Sequence, residues 1–180
     1  MPAGWSPVPW VTDGGNVTEK PLPNLMITSR SGFHDALRAA FAEVAGAGCR
    51  ELWLSDASFA DWPLGERAVV ESLTQWVHSQ RRITLLAETF DEVTRRHPRW
   101  VAWRRQWSHV VHCCTKSERA PGPVPTLFLA PGLFSLNIAD PIRFRGRLSR
   151  DAPDMVLDRE ALDAVLQHSE AAFPATTTGL

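Results

Sequence analysis

The chain has 180 residues, 44% of them hydrophobic and 22% charged, with a formal net charge of -1 at pH 7. That length suits one domain burying roughly two-thirds of its unfolded surface. The near-neutral charge argues against a broadly basic binder of nucleic acid or anionic membrane, so any basic site must be local. Seventeen of the nineteen basic residues are Arg, which suits bidentate pairing and stacking better than Lys does.

Residues 1–24 carry five prolines together with Gly14 and Gly15, a composition that predicts a flexible arm. Trp5 and Trp10 in that arm are large apolar groups that could lie over the domain or over a neighbouring subunit of a homo-oligomer. One α/β domain is expected over 25–173 and a frayed tail over 174–180. Cys49, Cys113 and Cys114 are odd in number, two of them adjacent, which fits a reducing compartment better than a disulfide framework. The N-terminus lacks a basic and apolar leader pattern, and no apolar run approaches the ~20 residues of a membrane helix. A cytoplasmic protein without a membrane partner is the expectation.

Leu25–Thr28 predicts a short strand. Ser31 is a candidate N-cap for a helix whose Phe33, Leu37, Ala40, Phe41 and Val44 recur at helical spacing and which Gly46 and Gly48 end. Glu51–Ser55 predicts a buried strand, followed by a loop to a helix with Val69, Val70, Leu73, Trp76 and Val77 on one face. Arg82–Ala87 predicts a third strand and V-V-H-C-C a fourth. Alternating strands and helices imply a mostly parallel or mixed central sheet flanked by helices.

The last third departs from this. Two strands meet across Pro131-Gly132 and predict an antiparallel C-terminal portion. In I-R-F-R-G-R-L, strict alternation predicts an antiparallel or edge strand with Ile142, Phe144 and Leu148 inward. Arg143, Arg145 and Arg147 would form a basic surface. A final helix is expected to start at Asp158 as N-cap and to turn Leu162, Val165, Leu166 and Phe173 inward.

In an open parallel sheet, ligands bind beyond the carboxyl ends of the strands. That rule selects Ser55, Asp56 and Asp61 after the second strand, Glu88 after the third, and His112–Lys116 after the fourth. Asp56 and Glu88 could pair for acid–base chemistry or for a hard cation, or Asp56 and Asp61 could cap loops and helices. His109, His112, Cys113 and Cys114 are metal-ligand types, but on a strand they divide between two faces, so no metal and no cofactor is expected. No nucleophile elbow, phosphate loop or dinucleotide fingerprint is present.

Phe90–His109 concentrates three tryptophans and five arginines. Pro98 is tolerated only in a first turn, so a short turn from Asp91 to Arg96 should precede a separate helix from Pro98. Trp100, Trp103, Arg104 and Trp107 then share one face. Arg104 among tryptophans is either a stacked guanidinium for an external anion, with His97 and Arg99 nearby at the helix start, or the partner of an internal carboxylate.

H-P-R-W-V-A-W-R-R-Q-W-S-H, L-W-L-S-D-A-S-F-A-D-W-P-L-G-E and R-R-I-T-L-L-A together resemble a bacterial family akin to the phospholipase D-like α/β half-domain, over roughly residues 25–173. The resemblance implies that fold. Active relatives carry H-x-K, then four residues and an Asp, with the His as nucleophile and the Lys on phosphate. None of the six histidines here heads such a motif; His97-Pro98-Arg99 comes nearest, and Arg104 stands at the Asp position.

The expected function is a non-catalytic domain that binds an anionic small molecule or a protein partner, with Asp56, Glu88, His97, Arg99, Arg104 and His112 as candidate ligand-binding residues. One alternative is a phosphodiester or other phosphoryl hydrolase with a divergent site that uses His97 or His112, Arg99, Arg104 and a carboxylate. Another is nucleic-acid binding through Arg143, Arg145, Arg147 and Arg150.

Overall fold

The computed structural model describes residues 21–175 apart from Ser79. The arm expected over 1–24 and the tail over 174–180 therefore fall largely outside the described residues. In chain order the elements are β1 (Leu25–Ile27), α1 (Arg30–Ala47), β2 (Glu51–Ser55), α2 (Arg67–Trp76), β3 (Arg82–Ala87), α3 (Asp91–Arg96), α4 (Pro98–Gln106), β4 (Val111–Lys116), β5 (Thr126–Ala130), β6 (Phe134–Asp140), β7 (Arg145–Ser149), α5 (Ala152–Leu166) and β8 (Ser169–Ala171).

The eight strands form one mixed sheet in the order β1-β7-β6-β5-β2-β3-β4-β8. Among the described strands only β2–β3 and β3–β4 pair in parallel; these are the strands joined by helices, as a parallel connection requires. The C-terminal strands continue the sheet by antiparallel pairing, and β8 closes it against β4.

Side chains from α1 to α4 pack on one face in a large core that includes the fully buried Phe33, Phe41, Trp76 and Trp100. Side chains of this size each gain about 1.5–3 kcal/mol or more from burial. α5 covers the other face over a smaller cluster centred on Leu86, Leu127, Leu129, Leu162 and Val165. The expected break at Pro98 is present: α3 stops at Arg96, and Pro98 opens α4 in the first turn, where its missing N–H costs no hydrogen bond.

Four local expectations are corrected. Ser29, not Ser31, caps α1, its extended backbone letting Oγ accept from the Gly32 amide at 3.1 Å. β7 begins only at Arg145, because the Asp140 carboxylate accepts from the Arg143 amide at 3.1 Å and fixes a turn over the preceding residues. Ile142 is consequently 89% exposed, and Phe144 takes a left-handed φ of 52°. β7 is antiparallel, as one of the two readings had it, but it is not an edge strand, since β1 pairs with its outer side.

The fourth correction concerns the last helix. α5 starts at Ala152 after Asp151, with Pro153 tolerated in the first turn, so Asp158 lies mid-helix and faces the sheet. The helix ends at Leu166, and Phe173 follows β8 instead of riding on the helix.

Candidate ligand-binding site

The loop from Asp56 to Glu66 crosses the carboxyl end of β2, and three of the residues selected from sequence hold it in place. Asp56 Oδ2 accepts from the amides of Ser58 and Phe59 at 3.1 and 2.7 Å, while Oδ1 accepts from Thr126 Oγ1 at 2.6 Å. These bonds support a left-handed Phe59, φ 57°, whose fully buried ring meets Trp62 edge-on and stacks on Phe90.

His97 secures the middle of the same loop. Nε2 lies 2.8 Å from the Phe59 carbonyl, and Nδ1 accepts from the Gly65 amide at 3.2 Å. This pairing assigns the proton to Nε2. Burial holds the His97 pKa below its ordinary value. Arg99 Nη1 donates to the Gly65 carbonyl at 2.6 Å. Asp61 pairs instead with Arg30 at 2.5 Å.

Glu88 stands beside this loop at the end of β3. Its amide bonds the Ala57 carbonyl while its side chain is exposed. His112 is elsewhere: it is the second residue of β4, opposite Thr84, at the amino end of the parallel strands. Because β4 runs on to Lys116 through its pairing with β8, the carboxyl end lies four residues beyond His112. Desolvation, and secondarily Arg82, lower the His112 pKa.

Arg104 is 5% exposed. Its Nη2 donates to the Phe173 main-chain carbonyl, its guanidinium carbon lies 4.6 Å from the Phe173 ring centroid, and Nε is buried with no hydrogen-bond partner. Among the described residues no carboxylate pairs with it. Cys113 lies beside it, its thiol pushed up to about 11 by burial against the opposing influence of Arg104. Trp100 and Trp103 are buried alongside in the α4 face, as the helical spacing predicts.

The expected basic surface is mostly self-neutralised. Arg143 pairs with Asp140 at 3.2 Å, and Arg147 with Asp154 at 3.2 Å and Asp158 at 3.3 Å. Arg150 reaches Glu43 at 2.6 Å. Arg145 is exposed.

Two features escaped sequence reasoning. Buried Asp158 accepts from Ser135 Oγ, Asn137 Nδ2 and Arg147, a network legible only once α5 is started at Ala152. An open polar cleft of about 530 Å³ lies between the ends of β4 and α5, lined by residues including Ser117, Arg119, His168 and Glu170. Among the described residues no cluster of three or more His, Cys, Asp or Glu could hold a metal, and no helix is long and apolar enough to cross a membrane.

No protein-family model matches the chain, and no curated protein matches it. Solved structures similar in fold include the following two. One is TrmBL2, an archaeal chromatin protein whose structure shows a novel mode of DNA binding, with a TM-score of 0.57 and 8% identity; the match covers 87% of this chain and 57% of that one. The other is phosphatidylserine synthase from Haemophilus influenzae Rd KW20, with a TM-score of 0.50 and 11% identity, covering 84% of this chain and 40% of that one. At these identities the likeness is one of fold, and the chain spans about half the length of the structures it matches.

Proposed function

We propose that the chain is a non-catalytic α/β binding domain that recognises an anionic ligand, with Arg104 as the anchoring charge. The observation that carries this reading is a guanidinium nine-tenths buried, held by a neutral carbonyl, with one N–H unpaired and no acidic partner among the described residues. Burying a cation without an anion costs several kcal/mol, so a bound carboxylate or phosphate would relieve a standing deficit. The fold likeness to phosphatidylserine synthase supports the phospholipase D-like ancestry read from the motifs.

Catalysis is disfavoured by how the candidate groups are used. Both ring nitrogens of His97 and both carboxylate oxygens of Asp56 are committed to holding one loop, whereas a general base or nucleophile needs a free atom facing substrate. Thermal-shift titration with pyrophosphate tests the reading. Stabilisation of the wild type that disappears in Arg104→Gln is expected; no stabilisation, or an equal one in both proteins, would overturn it.

A further inference from the structure

We infer that Phe173 is an internal occupant of a ligand slot, and that Ser169–Phe173 is a displaceable strap over a site for an aromatic ring carrying an anionic group. The inference rests on the anion-binding reading of Arg104 and adds the ligand's second half. The Phe173 ring is stacked on Phe90, with centroids 5.2 Å apart and planes inclined by 7°, and the Arg104 guanidinium lies over the same ring at 4.6 Å. The main-chain oxygen of Phe173 accepts from Arg104 Nη2. Phe173 thus offers the pocket a planar ring joined through a short linker to one oxygen acceptor.

That pattern has a better occupant. A ring joined through two carbons to a carboxylate reproduces the ring and the oxygen of Phe173 and adds the charge that the buried guanidinium lacks. A carboxylate adds the Coulomb attraction of a full negative charge, which a neutral carbonyl cannot give a guanidinium. A second carboxylate oxygen could also engage the unpaired Nε, as bidentate Arg–carboxylate pairs do.

The strap is built to yield. β8 is three residues long, at the sheet edge, with two of the three exposed. Beyond that short ladder its main-chain hold is the bond from the Ala172 amide to the Cys113 carbonyl. Phe173 itself sits at φ 51°, a left-handed conformation unfavourable for a bulky side chain. Release of the strap relaxes this strain and opens Phe90 and Arg104 together.

The test uses the full chain and two probes of the shared chemistry, 3-phenylpropanoate and phenyl phosphate, with inorganic phosphate as the ring-free control. Calorimetric titration of wild type, Phe173→Ala and Phe173→Ala/Arg104→Gln should show at least tenfold tighter binding of one aromatic probe to Phe173→Ala, lost in the double variant. Whichever aromatic probe gains identifies the anionic group. Equal affinity in wild type and Phe173→Ala, still dependent on Arg104, would sink the strap while leaving the anion reading intact; no binding of any probe, inorganic phosphate included, would sink both. Hydrogen exchange on the wild type needs no variant to fold. Saturation of the wild type with whichever of 3-phenylpropanoate and phenyl phosphate binds tighter should speed exchange at Ala172, and unchanged or slower exchange there would overturn displacement.

Discussion

His97 shows what a candidate catalytic residue looks like when the fold uses it as scaffolding. Its neutral ring donates to Phe59 and accepts from Gly65, so protonation would put a second donor where the Gly65 N–H already points. Burial lowers its pKa, with Arg96 acting in the same direction and the Phe59 carbonyl and Glu92 opposing. A depressed His pKa means that the unfolded chain takes up the proton first as pH falls. Stability contributed by neutral His97 is therefore complete above the unfolded value of about 6.5 and declines below it, down to the folded pKa. Urea denaturation at pH 7.5 and 5.5 should show a larger loss for wild type than for His97→Asn; equal losses would remove His97 from the acid response. Gly146 is a sterically constrained position of another kind: a Cβ there would stand 2.1 Å from the Asn137 carbonyl oxygen and 2.7 Å from Ile138 Cα. That approach occurs where the β6–β7 register slips. Gly146→Ala should cost on the order of 3 kcal/mol, read as a lower urea midpoint at unchanged slope.

At the scale of elements, the segments whose local pattern agrees with their surroundings were legible. Glu51–Ser55 and Arg82–Ala87 are apolar runs of strand length bounded by polar residues, and both are strands with those bounds. Pro98 marked the α3–α4 break for the same reason. β7 and α5 were misread because the residues just before them, and not the alternation or the cap-like Asp158, set where they start. The alternation in I-R-F-R-G-R-L is real, yet Asp140 diverts its first half into a turn. Asp158 has the composition of an N-cap, yet the helix has already begun at Ala152. The true position gives Asp158 its task of tying α5 to β6 and β7 through Ser135, Asn137 and Arg147, while Arg159 lies 4.0 Å over the Trp53 ring on β2. Removing one member of a buried charged network leaves the others unpaired, so Asp158→Ala should cost about 3 kcal/mol. Arg147→Met should cost less, because the Arg147 side chain is 32% exposed and Asp158 keeps two donors. Chemical denaturation compares the two, and the reverse order would show that Arg147, not Asp158, carries the network.

Over the whole molecule, the candidate site was legible as residue types but not as roles. Asp56, His97, Arg99 and Arg104 were all selected from sequence; the first three hold one loop, and only Arg104 remains underused. Its neighbour Phe173 was beyond reach, because β8 brings the end of the chain back over α4 through a pairing that no local pattern announces. Charge follows the same logic. The arginines that suggested a nucleic-acid surface are spread across β7 and its flanks, and most of their partners come from other elements: Glu43 on α1 and Asp154 and Asp158 on α5, with Asp140 three residues before Arg143. A phosphate backbone would have to compete with carboxylates already 2.6–3.3 Å away. Each phosphate contact that releases a counterion contributes about -0.9 to the slope of log K against log salt. With Arg145 alone exposed and outside these pairs, the slope attributable to this surface should not exceed about one in magnitude. Fluorescence anisotropy of labelled duplex DNA between 50 and 200 mM salt measures it. A slope of several units, lost on Arg143→Ala and Arg145→Ala, would show that the ion pairs open and that this face binds DNA.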